Sequence, residues 1–343
     1  MAVADSTLHE RNCLDAGNAD VRIVIVNWNG WRDTILCLQS LLGMSLLPAE
    51  IIVCDNGSTD GSVNIIRCWA EGRLSAWVPP SHPARQAALC QRRPRRMTFN
   101  NNVVVGPNDY ARTDLVLIET GENLGFGGGN NVGISHLRSG GSLDFIWLLN
   151  NDTTVAVDAL RSLVECASAD GTRVLASSRV MYMDRPDVVW FEGGVFDSVT
   201  ATAKHVSQRA FERSSHGYLS GCALLIGRSV WESIGLLDAA RFFMYGEDID
   251  YSIRARAAGA VLRIAHNSTV LHAVSASSQI ASPFAYRHNV AAGIRVSRKH
   301  FAHWRAIPIA LFHTAKLAAL AVAKRPGRAA LQGYWRGIVM GFS

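Results

Sequence analysis

An α/β fold with a mostly parallel central sheet is predicted by three features of this 343-residue chain. A strand-helix-strand pattern fills the stretch from Val21 to Cys54, about thirty residues, the size of a right-handed βαβ unit. A solid apolar run, Phe145 to Leu149 with Leu143 just before it, suits a strand covered on both faces. These strands stop abruptly against polar residues, at Asn27, at Asp55 and at Asn150-Asn151-Asp152. In such sheets ligands bind beyond the carboxyl ends of the strands.

The elements follow in order. Residues 1–20 are polar, carry Asp5, Glu10, Asp15 and Asp20 and have no apolar centre, which predicts a flexible leader rather than a secretory signal. Val21 to Val26 is the first strand, with Asn27-Trp28-Asn29-Gly30 as its exit. Trp31 to Leu42 has apolar residues at helical spacing (Ile35, Leu38, Leu42), and Glu50 to Cys54 is the second strand. Its exit, Asp55 to Ser62, is a tight Asp/Asn/Gly turn in which Ser58 to Asp60 can cap a helix running through Trp69. Between Gly72 and Asp114 the pattern dissolves into five prolines and the cluster Arg92, Arg93, Arg95, Arg96, which reads as an inserted loop over 72–114.

Strand character returns at Leu115 to Glu119, followed by a glycine-rich stretch, Gly121 to Gly133, ending in Asn130-Asn131-Val132-Gly133. Its glycines let backbone approach a ligand or a neighbouring strand closely. As a dinucleotide fingerprint the stretch is a weak signal, because the first strand lacks the glycine-rich turn such a site needs. Asp152, at the end of the buried strand, can hold a divalent cation and through it a diphosphate, or simply cap the helix at Val157 to Cys166. In the second half, Val188 to Phe191 and Tyr218 to Ile226 are apolar runs, the latter interrupted by Ser220-Gly221-Cys222, whose small side chains leave room beside the chain. Glu247, Asp248 and Asp250 open a helix that continues through Ala258, where acids are favourably placed.

An apolar fraction of 48% permits a large core. Seven cysteines without metal-ligand spacing point to reduced thiols and the cytoplasmic side. The charge is two-ended: Tyr251 to Ser343 has thirteen Lys or Arg and no acid, leaving 21 basic against 28 acidic side chains before it. A basic end favours a phospholipid surface or phosphate, and with no finger spacing or RNP-type strand, nucleic acid is not an expected partner. Ile307 to Ala323 is apolar but short of the roughly twenty residues a spanning helix wants, so the 301–343 tail reads as basic, amphipathic and surface-lying.

Five stretches, N-W-N-G (27–30), D-N-G-S-T-D-G-S (55–62), N-L-G-F-G-G-G-N-N (123–131), L-L-N-N-D-T (148–153) and F-M-Y-G-E-D-I-D-Y-S-I-R-A-R-A-A-G (243–259), resemble the ordered motifs of family 2 glycosyltransferases, nearest the bacterial rhamnosyltransferase-type branch. The resemblance implies a GT-A fold over 21–300, with a nucleotide-binding half (21–155) and an acceptor-binding half (156–300). It places Asp55 in the nucleotide-base pocket near Asn27, and Asn123 with Gly125, Gly127 and Asn131 along the nucleotide sugar. Asn150-Asn151-Asp152 falls on the family's Asp-x-Asp motif, with Asn in its first position. That leaves Asp152 as the carboxylate ligand of Mg²⁺ or Mn²⁺ and His272 as a second ligand. The Glu247-Asp248 pair holds the catalytic base, assigned to Asp248.

The function implied is inverting transfer from a nucleotide-diphosphate sugar, dTDP-L-rhamnose in this branch, to a polysaccharide or polyprenyl-linked glycan at the inner face of the plasma membrane. The alternatives are a sugar-phosphate nucleotidyltransferase, disfavoured because no G-x-G-x-R-like loop follows the first strand, and a non-catalytic nucleotide-sugar binder, disfavoured by Asp152 together with Asp248.

Overall fold

The computed structural model describes residues 19–78, 80–100, 102–105, 113–137, 143–274, 282–323 and 327–343; the 1–20 leader therefore lies outside it except for Ala19 and Asp20. In chain order the first half contains β1 (Val21–Asn27), α1 (Trp31–Leu42), β2 (Glu50–Asp55), α2 (Ser62–Ala70), α3 (Arg85–Leu89), β3 (Arg96–Phe99), β4 (Asn102–Val105), β5 (Asp114–Glu119), α4 (Gly125–Leu137), β6 (Phe145–Asn150), β7 (Thr153–Val155) and α5 (Ala159–Ser168). The second half contains β8 (Val174–Tyr182), β9 (Val189–Phe191), β10 (Gly194–Asp197), β11 (Thr202–His205), α6 (Gln208–Glu212), β12 (Gly217–Tyr218), β13 (Ala223–Gly227), α7 (Arg228–Ile234), α8 (Glu247–Ala257), β14 (Val261–His272), α9 (Pro283–His300), α10 (Ala306–Val322) and α11 (Arg328–Phe342).

The main sheet has the order β4-β3-β5-β2-β1-β6-β13-β8-β14-β7, with β9 added beside β8. β3, β5, β2, β1 and β6 are parallel; β13 runs against both β6 and β8, and β14 is again parallel to β8. The unbroken apolar runs explain the central position of these strands: Ile23 to Ile25, Ile51 to Cys54 and Phe145 to Leu148 are all buried, as both faces of the sheet are covered by helices. Strand registry then sets the functional edge. Asn27 pairs with Asp55 and Val26 with Asn150, so three polar strand ends share one rim.

One expectation is corrected. The 72–114 stretch contains regular structure: β3 lies parallel to β5 with Arg96 opposite Asp114, and Arg95 and Arg96 both bond the Asp114 carboxylate. The arginines that obscure the pattern thus anchor a strand. The glycine-rich stretch, for which the sequence indicates only close backbone approach, is largely the helix α4. A Cβ at Gly129 would lie 2.8 Å from Val26 and one at Gly133 2.5 Å from Val24. Glycine is poor in helices by about 1 kcal/mol, but only glycine lets this helix settle directly on β1.

The C-terminal helices α9, α10 and α11 form an α-helical appendage. α11 lies along α9 with Gly333, Gly337 and Gly341 facing it, where Cβ atoms would come within 2.2 to 2.7 Å of Pro283, Arg287 and Ile294. α10 leaves Ile307, Leu311 and Val322 more than 60% exposed. Among the described residues, His303–Val322 is the one helix long and apolar enough to cross a membrane, by length and composition, and 11% of it is buried.

Candidate active site

At the rim of the first half, polar groups bond one another. Asn27, fully buried, donates from Nδ2 to Asp55 Oδ1 (2.7 Å) and Ser58 Oγ (3.1 Å) and accepts from Thr34 Oγ1 (2.7 Å). Asp55 Oδ2 accepts the Ser58 N–H at 3.0 Å, which fixes the tight turn after β2. Asn56, which sequence reasoning passed over, donates to Asn123 Oδ1 and the Gly125 carbonyl, both at 3.0 Å, and accepts from Leu124 N–H at 3.1 Å. Gly125 opens α4 with φ +73°, and a Cβ there would be 2.0 Å from the Phe243 carbonyl oxygen. Gly127 lies against Ala239 and Phe242, and Asn131 makes a reciprocal pair with the Leu237 main chain, donating at 2.8 Å and accepting at 3.0 Å. Asn123, Gly125, Gly127 and Asn131 therefore lie along one joint, between α4, the Asp55–Ser62 turn and the segment 237–243.

The end of β6 is different. Asn151 donates to Thr34 Oγ1 at 3.1 Å, but Asn150 Oδ1 and Asp152 Oδ2 are buried with no hydrogen-bond partner. Asp152 Oδ1 meets His272 Nε2, at the end of β14, at 3.2 Å. Burial disfavours the charged imidazole, but Cys222 and the Asp152 carboxylate outweigh it and hold the His272 pKa well above its usual value. Among the described residues no group of three or more His, Cys, Asp or Glu converges. The protein offers a carboxylate with an orphaned oxygen and, once an arriving cation displaces its proton, the His272 imidazole. That set fits a Mg²⁺ or Mn²⁺ ion whose remaining ligands are substrate oxygens and water.

Asp152 and Asp248 are joined by the short link between β12 and β13. The Asn150 N–H donates to the Cys222 carbonyl (2.9 Å), and the Gly221 N–H donates to Asp248 Oδ2 (3.1 Å). Gly221 is needed here because a Cβ would come within 2.9 Å of the Phe126 ring. Asp248 Oδ1 accepts the Ile249 N–H at 2.8 Å, and no cationic side chain pairs with it among the described residues. Burial raises its pKa, with the two N–H bonds and nearby His205 acting the other way. Glu247, 5% exposed, is raised well above the usual range by burial first and by the Asp248 charge second. Burial thus favours the protonated form of both carboxyls, and, lying side by side, they titrate as a pair. Asp250, two residues on, is instead saturated by Arg254 (2.8 Å), Lys299 (2.6 Å) and His300 (2.6 Å). Burial would raise it, but those three partners overcome the effect and hold its pKa down to about 2.

An aromatic wall completes the crevice. The Trp190 ring meets His272 edge-on at 4.5 Å and His205 at 4.9 Å, and Phe191 stands 6.0 Å from Tyr218. Trp190, His205 and Tyr218 are additional candidates that sequence reasoning missed. The apolar run Val188–Phe191 flagged the strand, but β11 is a short polar stretch with no sequence signal tying His205 to the site.

Residues 22–77 match the profile described as Glycosyl transferase family 2, and residues 80–294 match Glycosyltransferase like family 2. An N-acetylglucosaminyl-diphospho-decaprenol L-rhamnosyltransferase of Mycobacterium tuberculosis is 26% identical over 294 residues, 78% of this chain and 81% of its own. The low-salt glycan biosynthesis hexosyltransferase Agl10 of Haloferax volcanii is 28% identical over 149 residues, 42% of this chain; the match spans 47% of that protein, about half its length. In fold, the chain is similar to a mannosyltransferase from Pyrobaculum calidifontis solved with GDP-Man and Mn²⁺ (TM-score 0.52, 16% identity, covering 96% of this chain and 86% of the other). It is also similar to GalNAc-T7 with UDP, GalNAc and Mn²⁺ (TM-score 0.54, 15% identity, 88% and 51%). Profile matches across most of the chain, on a mostly parallel α/β sheet of GT-A type, establish that this protein is a glycosyltransferase of family 2.

Proposed function

We propose that the protein transfers a hexose, with inversion, from a nucleotide-diphosphate donor to a lipid-linked glycan, with Asp248 as general base. The observation that carries this is the setting of Asp248: a carboxyl group steered by two backbone N–H groups, with no Lys or Arg paired to it among the described residues, near Tyr218 and His205. An inverting displacement needs one group to take the acceptor hydroxyl's proton as the new bond forms, and a raised, oriented carboxylate does that. Asp55 and Asn27 shape the base pocket, and Asn123 with the start of α4 lines the donor. Asp152 and His272 hold a divalent cation, which when bound neutralises charge on the leaving diphosphate. The half-buried Trp190 offers its ring to the acceptor sugar, with buried Tyr218 behind Phe191 as support.

dTDP-L-rhamnose is the first donor to test, because the Mycobacterium tuberculosis relative is named for L-rhamnosyl transfer onto a diphospho-decaprenol acceptor. The exposed apolar side of α10 is consistent with work at a membrane surface, where such an acceptor resides. The experiment is a thermal-shift and turnover screen of nucleotide-diphosphate sugars with Mn²⁺ and with chelator. Stabilisation by one donor that requires metal, followed by turnover with a polyprenyl-linked acceptor, is the expected result. Equal donor affinity in excess chelator would overturn the role given to Asp152 and His272.

A further inference from the structure

The basic excess after residue 250 is not spread evenly over the surface. Among the described residues, six of its cations are committed within the fold: Arg254, Lys299 and Arg263 face carboxylates. Arg256, Arg295 and Arg298 donate to main-chain carbonyls. Two others are left together. Arg287 of α9 and Arg336 of α11 line one recess of about 330 Å³, with Pro283, Phe284, Gln332 and Gly333 among its other walls and no acidic side chain. None of the ion pairs among the described residues involves either arginine.

The recess is built rather than accidental. Gly333 and Gly337 allow α11 to close on α9 so tightly that Cβ atoms would collide with the Pro283 and Arg287 carbonyl oxygens at 2.2 and 2.6 Å. That contact sets the spacing of the two helix backbones from which Arg287 and Arg336 project. Phe284, 48% exposed, forms an apolar edge and packs at 4.3 Å on His288, which itself reaches Phe243 beside the start of α4. The recess thus opens within a few side chains of the catalytic crevice. α10 packs on the same α11 through His313, bonded to Tyr334 at 2.7 Å, and presents its apolar residues outward.

We propose that this recess binds the phosphate of an amphiphile, with Arg287 and Arg336 as the phosphate ligands and the exposed side of α10 beside the hydrocarbon. Guanidiniums suit this task, since each can give two parallel hydrogen bonds to phosphate oxygens. A hydrocarbon chain attached to the phosphate finds Phe284 and α10 rather than water. The phosphate has two possible sources, the diphosphate of a polyprenyl-linked acceptor or an anionic phospholipid headgroup. The inference stands independently of which residue is the catalytic base.

The test is co-sedimentation of the full-length protein with vesicles of phosphatidylcholine alone, with added phosphatidylglycerol, or with a small fraction of a polyprenyl diphosphate. Salt of about 0.5 M screens exposed charges over a few ångströms. Arg287→Gln/Arg336→Gln is expected to lose about tenfold or more in affinity for the phosphate-bearing vesicles, while retaining donor-induced thermal stabilisation. Gln332→Glu, which places an anion in the recess without touching either arginine, should do the same. Lys204→Gln/Arg209→Gln removes two exposed cations on β11 and α6, outside the recess and α10, and should change binding little. A loss confined to polyprenyl diphosphate supports the proposal with the acceptor as ligand; equal losses with both lipids support it with the headgroup. Indistinguishable behaviour of the two double variants, or unchanged binding by both recess variants, would overturn it.

Discussion

The rim of the first half and the start of α8 treat polar groups in opposite ways. At the rim, Asn27, Asp55, Asn56 and Asn123 form one closed set, each amide or carboxylate answered by a neighbour. At α8, Glu247 Oε2 is buried without a partner and Asp248 has only backbone N–H donors, and across the crevice Asp152 Oδ2 is likewise unanswered. An unsatisfied buried polar group costs about 1–3 kcal/mol, so a fold keeps several together only where a ligand or a reaction makes use of them. Closed sets position; open ones react. Asp250 is the internal control, since it shares the helix turn with Asp248 yet is buried among Arg254, Lys299 and His300.

The sharpest way to break this contrast is Asp248→Asn. Transfer should fall by a factor on the order of 10² to 10⁴, the scale of general-base loss, while donor binding and Tm hold. Because the Asp248 pKa is raised, transfer by the unaltered enzyme should decline on the acid side at a pH above the ordinary carboxylate range. A variant retaining full turnover would remove Asp248 from the chemistry.

Asp250→Asn tests the other side. Removing a buried carboxylate from Arg254, Lys299 and His300 should lower stability by about 3–5 kcal/mol, read by denaturant unfolding, with any loss of turnover following loss of folded protein. Its depressed pKa sets the sign with pH: the stabilisation is present above the unfolded value near 4 and is lost as pH falls towards about 2. An Asn56→Ala variant should be milder, about 1–3 kcal/mol, because it strands the Leu124 N–H and Gly125 carbonyl. It should also weaken donor binding more than turnover at saturation. An unchanged KM would separate the α4 joint from the donor.

How far these features are legible in the sequence depends on their range. Strand ends are readable because an apolar run stops at Asn27, Asp55 or Asp152, and the acids opening α8 are readable because they sit where a helix begins. α4 is not, because glycine spacing signals close approach without saying that the partner is β1 rather than a ligand. β3 is hidden by prolines and by arginines whose partner, Asp114, is eighteen or nineteen residues on. Trp190 and His205 come to the site through pairing of short strands, and the free arginines become distinct only when the fold shows which of their neighbours are engaged.

The smallest effect is the most discriminating within the acid pair. Glu247 has a folded pKa well above 4.5, because burial and the neighbouring Asp248 charge both penalise ionisation. The folded protein therefore binds this proton more tightly than the unfolded chain does. Its stabilising contribution is complete below the unfolded value and is lost as pH rises through the raised folded value. Glu247→Gln cannot ionise, so it should match the unaltered protein at about pH 4 and exceed it in Tm at about pH 8, with the gap growing between. Turnover should remain within about tenfold, since Gln keeps the side-chain shape while Asp248 still takes the proton. A Glu247→Gln protein that is as inactive as Asp248→Asn is expected to be, with no rise in Tm at high pH, would show that the buried carboxyl ionises in the working enzyme and would exchange the two roles.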